Sequence, residues 1–186
     1  MGLFALEHSK GAYRADFALY GVAVLLLGAF LLADGPREQQ LQLAAFAMLG
    51  LAGWTAIEYG LHRFVLHGLQ PFRRWHEAHH QRPTALICAP TILSATLIST
   101  LVFLPAWLSA GLWRACALTL GVLTGYLAYA ITHHATHHWR ADSAWLRRRK
   151  RWHALHHHAT LQPACFGVTQ GFWDHVFGSA VVRSRR

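Results

Sequence analysis

Four apolar stretches run through this 186-residue sequence, each long enough to cross a bilayer as a helix. A spanning helix needs about 20 mostly apolar residues, within a range of roughly 17 to 25. The stretches cover Phe17–Ala33, about Leu41–Leu61, about Leu86–Leu108 and about Ala115–Thr132. Glu58 is the one charge in the second, close to its end. The third holds Pro90 and Pro105, so it is expected either to bend near Pro105 or to form a shorter, re-entrant piece. The first is longer than the apolar part of a signal peptide and no small-residue cleavage site follows it, which predicts a retained helix. Composition agrees with lipid contact. The chain is 54% hydrophobic and only 13% charged, whereas about a quarter of a soluble domain is charged. The expectation is an all-α integral membrane protein with about four transmembrane helices, forming a single domain over residues 1–186.

An even number of spans returns both termini to one side of the membrane. Of the 17 Lys and Arg, all but Arg37 and Arg114 fall on that side. They are Lys10, Arg14, Arg63, Arg73, Arg74, Arg82, Arg140, the run Arg147–Arg151, and Arg183, Arg185 and Arg186. The positive-inside rule therefore places the termini in the cytoplasm. A formal net charge of +9 also suits a nucleic-acid binder, but such a protein has no need of long apolar spans. No nucleic-acid partner is expected.

The sequence carries 15 histidines, and most of them follow the second and fourth spans. Two distant segments are thus delivered to the same, cytoplasmic, side. The blocks are His62-x4-His67, His76-x2-His79-His80, His133-x3-His137-His138 and His153-x2-His156-His157, with His175 alone in the tail. Residues three and four apart share a helix face. That spacing points His76 with His79 and His80, His133 with His137, and His153 with His156 and His157. His62 and His67 are five apart, about 140° around an ideal helix. Either each serves a different metal, or the helix ends between them. Neutral imidazole suits zinc, copper, iron and nickel, and four such blocks supply enough nitrogen for two ions. The carboxylate-rich pattern of soluble di-iron bundles is missing.

Other residues carry weaker signals. Glu58 and Glu77 are candidates to accept N–H groups from ligating rings, against a plainer reading of an interfacial Glu58 and a solvated Glu77. His8 reads as a surface residue. His134, His138, His158 and His175 read as supporting, interfacial or idle, with His138 first among them to brace a ligand. Asp174 is a further candidate of that kind. Cys88, Cys116 and Cys165 form no CxxC pair and read as small apolar fillers. Trp75, Trp139, Trp152, Phe172, Trp173 and Phe177 flank the blocks and read first as an interfacial aromatic belt.

The segments HRFVLH (62–67), RRWHEAHH (73–80), GYLAYAITHHATHH (125–138) and RWHALHHHATLQPACFGVTQGFWDHVFG (151–178) together resemble the fatty acid hydroxylase superfamily. That superfamily includes sterol desaturases and oxidases, carotenoid hydroxylases and sphingolipid 2-hydroxylases. The tail, with HxLHH followed by FGVT and FWDxVFG, is most similar to the fatty acid and ceramide 2-hydroxylase branch. The resemblance covers roughly residues 55–180. It implies a helical membrane domain with a cytoplasmic helical cap over a dimetal centre. It implies that His62, His67, His76, His79, His80, His133, His137, His153, His156 and His157 are the ligands, with no catalytic residue beyond them. It implies two iron ions, molecular oxygen as oxidant and an external electron donor; a nitrogen-rich site also accepts zinc. Ala130 stands where relatives often carry an acidic residue, and His158 where they often carry an aromatic one.

The expected activity is that of a non-haem di-iron monooxygenase that hydroxylates an acyl chain of a fatty acid or complex lipid. Breaking an unactivated C–H bond is work for the metal, while the protein orients the substrate and excludes water. Only Met1–Asp16 precede the first span, so the electron donor, cytochrome b5-like or ferredoxin-like, is expected to be a separate protein. The run Arg147–Arg151 can mark topology, hold anionic lipid or dock an acidic electron carrier. Desaturation, sterol oxidation and carotenoid hydroxylation remain alternatives on the same scaffold. A histidine-rich metal transporter or store would place its ligands inside the spans; a bis-histidine haem carrier would need few histidines on facing helices.

Overall fold

The computed structural model describes residues 7–158 and 164–181 of the chain. The basic residues Arg183, Arg185 and Arg186, and residues 159–163 of the last histidine-bearing segment, lie outside the described residues. All regular structure among the described residues is helical: α1 (Lys10–Ala33), α2 (Gln40–Gly60), α3 (Phe72–Gln81), α4 (Thr91–Ile98), α5 (Leu104–Ala110), α6 (Leu112–His138), α7 (Ala144–His158) and α8 (Phe172–Val176). A 3-10 turn, Arg37–Gln39, leads into α2. One isolated bridge pairs Glu7 with Ile87.

Among the described residues, four stretches of helix are long and apolar enough to cross a membrane: Lys10–Ala33, Arg37–Leu66, Thr91–Ala110 and Leu112–His138. They carry large exposed apolar side chains, such as Leu25, Leu32, Leu41 and Leu108, as lipid-facing surfaces do. The third span is a continuous helix over Thr91–Ala110, long enough to cross rather than re-enter. It begins at Thr91, after Pro90, and stays helical through Pro105. A proline ring would meet the carbonyl four residues back in a regular helix. Here a π-helical stretch, Ser99–Phe103, widens the helix just before Pro105, and the Leu104 N–H donates to the Ser99 carbonyl five residues back. Gly111, at φ 85°, then separates α5 from α6, a conformation that glycine adopts without steric cost.

The chain forms two compact units. The first comprises residues up to Trp54 together with Leu86–Leu127. Its core gathers Leu31, Leu43, Cys116 and Ala117, with Leu27, Phe46, Trp113 and Leu120 packed against them. The α2 and α6 backbones approach closely: a Cβ on Gly121 would lie 1.9 Å from the Ala47 carbonyl oxygen. Small residues at such crossings let membrane helices pack by van der Waals contact. Several polar groups of this unit are paired inside it. The Thr91 hydroxyl donates to Asp16 at 2.6 Å, and the Tyr20 and Ser94 hydroxyls lie 2.7 Å apart.

The second unit comprises Thr55–Ala85 and the chain from Ala128 onward. It holds the end of α2, a π-helical stretch over Leu61–Leu66, α3, the end of α6, α7 and α8. The large side chains buried most completely here include His62, His156, Glu58 and Asp174. A core built from polar residues requires that each find partners.

Candidate metal centre

The histidines of the second unit come from α3, the ends of α2 and α6, and α7, and their rings converge. The ring nitrogens of His62, His67, His76, His80 and His156 form one group, and those of His79, His133, His137 and His153 another, each with its nitrogens within 4.8 Å of one another. In the first group, Nε2 of His76 is 2.9 Å from that of His62 and 3.0 Å from that of His80; Nε2 of His156 is 3.1 Å from those of His67 and His80. In the second, Nε2 of His153 is 2.8 Å from that of His137 and 3.1 Å from that of His157. His157 thus joins the second group's edge, while its ring stacks on His80 at 4.2 Å.

His62 and His67 fall in the same group, their rings 5.4 Å apart. Of the two alternatives drawn from ideal helix geometry, the second holds: the helix becomes π-helical over Leu61–Leu66 and ends there, with His67 as its C-cap. The i→i+5 pattern of that last stretch turns less per residue than a regular helix does, which narrows the 140° gap.

These spacings fit a cation. At about 2.1 Å from an ion, ligands at right angles lie about 3.0 Å apart, and tetrahedral ones about 3.4 Å. The observed 2.8–3.1 Å matches the right-angled arrangement. Hydrogen bonding between rings accounts for the cluster poorly. The His62 Nδ1–H donates to the Phe166 carbonyl at 2.5 Å and the His156 Nδ1–H to the Ala164 carbonyl at 2.7 Å. A neutral ring that donates through Nδ1 presents a bare lone pair at Nε2, so both rings turn lone pairs inward.

Protonation is suppressed where ligation needs it to be. Burial, then the neighbouring imidazoles, holds His67 down at about 4 and His79 down at about 3. The same causes hold His76, His153, His156 and His157 well below the usual histidine range. Burial lowers His80 too, against the opposing charge of Glu77. Neutral, lone-pair-bearing rings are the form that binds metal.

Among the carboxylates, Glu77 meets its plainer reading as a solvated side chain, while Glu58 takes a part that neither reading gave it. Glu58, 2% exposed, is neither interfacial nor bonded to a ring. Its Oε1 accepts the N–H groups of Val168 and Thr169 at 2.7 and 2.9 Å, and its Oε2 accepts the Thr169 hydroxyl at 2.6 Å. Asp174 is 0% exposed. It accepts the N–H groups of Phe166 and Gly167, both at 2.8 Å, the Ser179 hydroxyl and the Trp152 indole N–H. Glu77 pairs with Arg73 at 2.8 Å on the exposed side of α3.

The remaining histidines stand apart. His138 is exposed and stacks on His134 at 4.4 Å, one helix face away from His133 and His137. His158 and His175 are exposed. Trp152 and Trp173 are internal donors, to Asp174 and to Thr55, rather than members of a belt. Arg149 is buried, its charge opposed by that burial and by Arg148 and favoured by Glu58 and Asp174. The run Arg147–Arg151 is therefore not a uniform exposed face.

Sequence reasoning missed the backbone carbonyls of Ala164 and Phe166. Main-chain atoms have no residue-type signature. The only signal nearby is Gly167, where a Cβ would lie 1.9 Å from the Gln170 carbonyl.

A family model described as fatty acid hydroxylase matches residues 47–179. The chain is 33% identical over 153 residues to a dihydroceramide fatty acyl 2-hydroxylase of Arabidopsis thaliana, covering 74% of this chain and 61% of that protein. It is 32% identical over 152 residues to a ceramide very long chain fatty acid hydroxylase of Schizosaccharomyces pombe, covering 72% of this chain and 42% of that protein. It therefore spans less than two thirds of either relative. The solved structure of full-length scs7p, in which only the hydroxylase domain is visible, superposes with a TM-score of 0.77 at 27% identity, covering 95% of this chain and 68% of that one. This all-helical chain, with its four membrane-length helices and its clustered histidines, belongs to the fatty acid hydroxylase family.

Proposed function

We propose that this chain is a membrane-bound lipid hydroxylase that acts on an acyl chain of a fatty acid or complex lipid, using two iron ions and O2. The observation that carries this reading is the convergence of four histidine blocks on two groups of inward-facing imidazole nitrogens. His62, His67, His76, His80 and His156 hold one ion; His79, His133, His137, His153 and His157 hold the other. The relatives named as fatty acyl and ceramide hydroxylases support the substrate class. When bound, the two ions supply oxygen activation: a C–H bond, O2, two electrons and two protons become C–OH and water. The residues of the chain set the conditions for it. Burial keeps the imidazoles neutral, and the carbonyls of Ala164 and Phe166 fix which nitrogen of His156 and His62 faces inward. The buried rings keep the site free of bulk water. Electrons come from a carrier that is cytochrome b5-like or ferredoxin-like. The distribution of basic residues along the sequence supports a cytoplasmic side for the site, its helical cap and both termini.

The test is anaerobic iron loading of the purified protein, addition of O2 and a reductant, and lipid mass spectrometry against an unloaded control. A gain of one oxygen on an acyl chain is expected. Loss of two hydrogens would instead assign desaturation, and an unchanged lipid profile would overturn the reading.

A further inference from the structure

We infer that Glu58 and Asp174 are positioning residues for one of the two metal sites only, acting through the segment 164–169. The inference rests on the metal reading proposed above. The segment presents two carbonyls to the first imidazole group, Phe166 to His62 and Ala164 to His156. It is itself anchored from both sides. Glu58, on α2, holds the N–H groups of Val168 and Thr169 and the Thr169 hydroxyl. Asp174, on α8, holds those of Phe166 and Gly167. Between the two carbonyls, Cys165 takes a left-handed conformation, φ 57°, and its N–H donates to the Ser179 carbonyl at 2.9 Å. A non-glycine residue in that region costs about 1 kcal/mol or more, so the surroundings must over-determine it. The two carboxylates supply that constraint.

Among the described residues, no carbonyl is hydrogen-bonded to a ring nitrogen of the second group. Nδ1 of His79 and Nδ1 of His153 are buried without a hydrogen-bond partner among the described residues. A carboxylate, a peptide segment and a ring nitrogen thus form a chain of contacts that ends at His62 and His156 and reaches no ring of the other group. Fixing the tautomer and orientation of a ligating ring raises metal affinity, and loss of such a partner typically costs about 10–100-fold.

The two carboxylates differ in what an amide would do. Both oxygens of Asp174 accept N–H groups, so in Asp174→Asn the new NH2 faces a donor on either side. The Oε2 of Glu58 meets only the Thr169 hydroxyl, which can turn to accept. Glu58→Gln is therefore the milder variant.

The test uses the full chain in detergent, stripped of metal and reloaded with Zn2+ as the probe, with ions per chain and their release to a chelator measured. Wild-type protein is expected to retain two ions. Asp174→Asn should release one of them about 10–100-fold faster and hold the other as before. Adding His153→Ala to Asp174→Asn should remove the slow ion; adding His67→Ala should leave it. A purely structural role would loosen both ions together and overturn the inference, as would release rates unchanged for both. Should Asp174→Asn fail to fold, by circular dichroism, Glu58→Gln carries the same expectation at a smaller factor. Wild-type protein that binds no ion defeats the metal reading itself, whereas two ions with no selectivity in the variants defeat only this inference.

Discussion

The two imidazole groups use one residue type at similar helical spacings, yet different things stand behind their rings. The first is backed by a peptide segment whose carbonyls hold two of its Nδ1 atoms. In the second, buried Nδ1 atoms on His79 and His153 lack partners among the described residues. Helix geometry alone can bring imidazoles together, but it leaves their tautomers open. Fixing the tautomers takes a loop, and the loop takes carboxylates.

The largest effect that bears on this comparison comes from removing a ring on either side. His79→Ala and His156→Ala should each lower product formation at least about 100-fold while the protein stays in the membrane. Full activity in either variant would show that its group is dispensable and end the equivalence of the two. Acid is the next lever. His67 and His79 stay neutral down to about 4 and about 3 in the fold, but titrate near 6.5 when unfolded. Between those values the unfolded chain binds more protons, so stability falls as pH falls. The loss should begin near pH 6.5 and level off as each folded value is passed. Thermal melting of the metal-free protein across that range measures it, and a melting temperature that rose on acidification would contradict the assignment. A smaller and more selective effect is expected of Gly167→Ala. The new methyl would press on the Gln170 carbonyl and on Asp174 Oδ2, costing about 1–3 kcal/mol. Ion release should quicken at the first group alone; equal loosening of both would erase the distinction. Glu77→Ala should do least. It breaks a surface pair with Arg73 that is worth about 0.5 kcal/mol or less, and metal content should not change.

Much of this was readable before any coordinates. The four spans follow from apolar length, and the histidine blocks from three- and four-residue spacing, because both depend on local periodicity. The five-residue spacing of His62 and His67 points to a helix ending between them, as it does after Leu66, but the π-helical winding of that last stretch has no signature in the spacing. Pro105 likewise marks a departure from regular helix without telling that a π-helical stretch precedes it. Glu58 was noticed, yet its partners, Val168 and Thr169, lie far along the chain and are bonded through backbone atoms. Arg149 was read as one charge of an exposed run; nothing in the run itself shows that its position on α7 faces inward, toward Trp152, which its guanidinium overlies at 5.9 Å.

The widened turn over Leu61–Leu66 works as a phase adjustment of a single residue. Were the same residues to run on with regular pitch, everything after them would turn by about 100°. His67 would swing off its face while the composition, the span length and every histidine spacing stayed the same. A chain wound that way would read, residue for residue, as the same member of its family, and would have lost the alignment on which its first ring group depends.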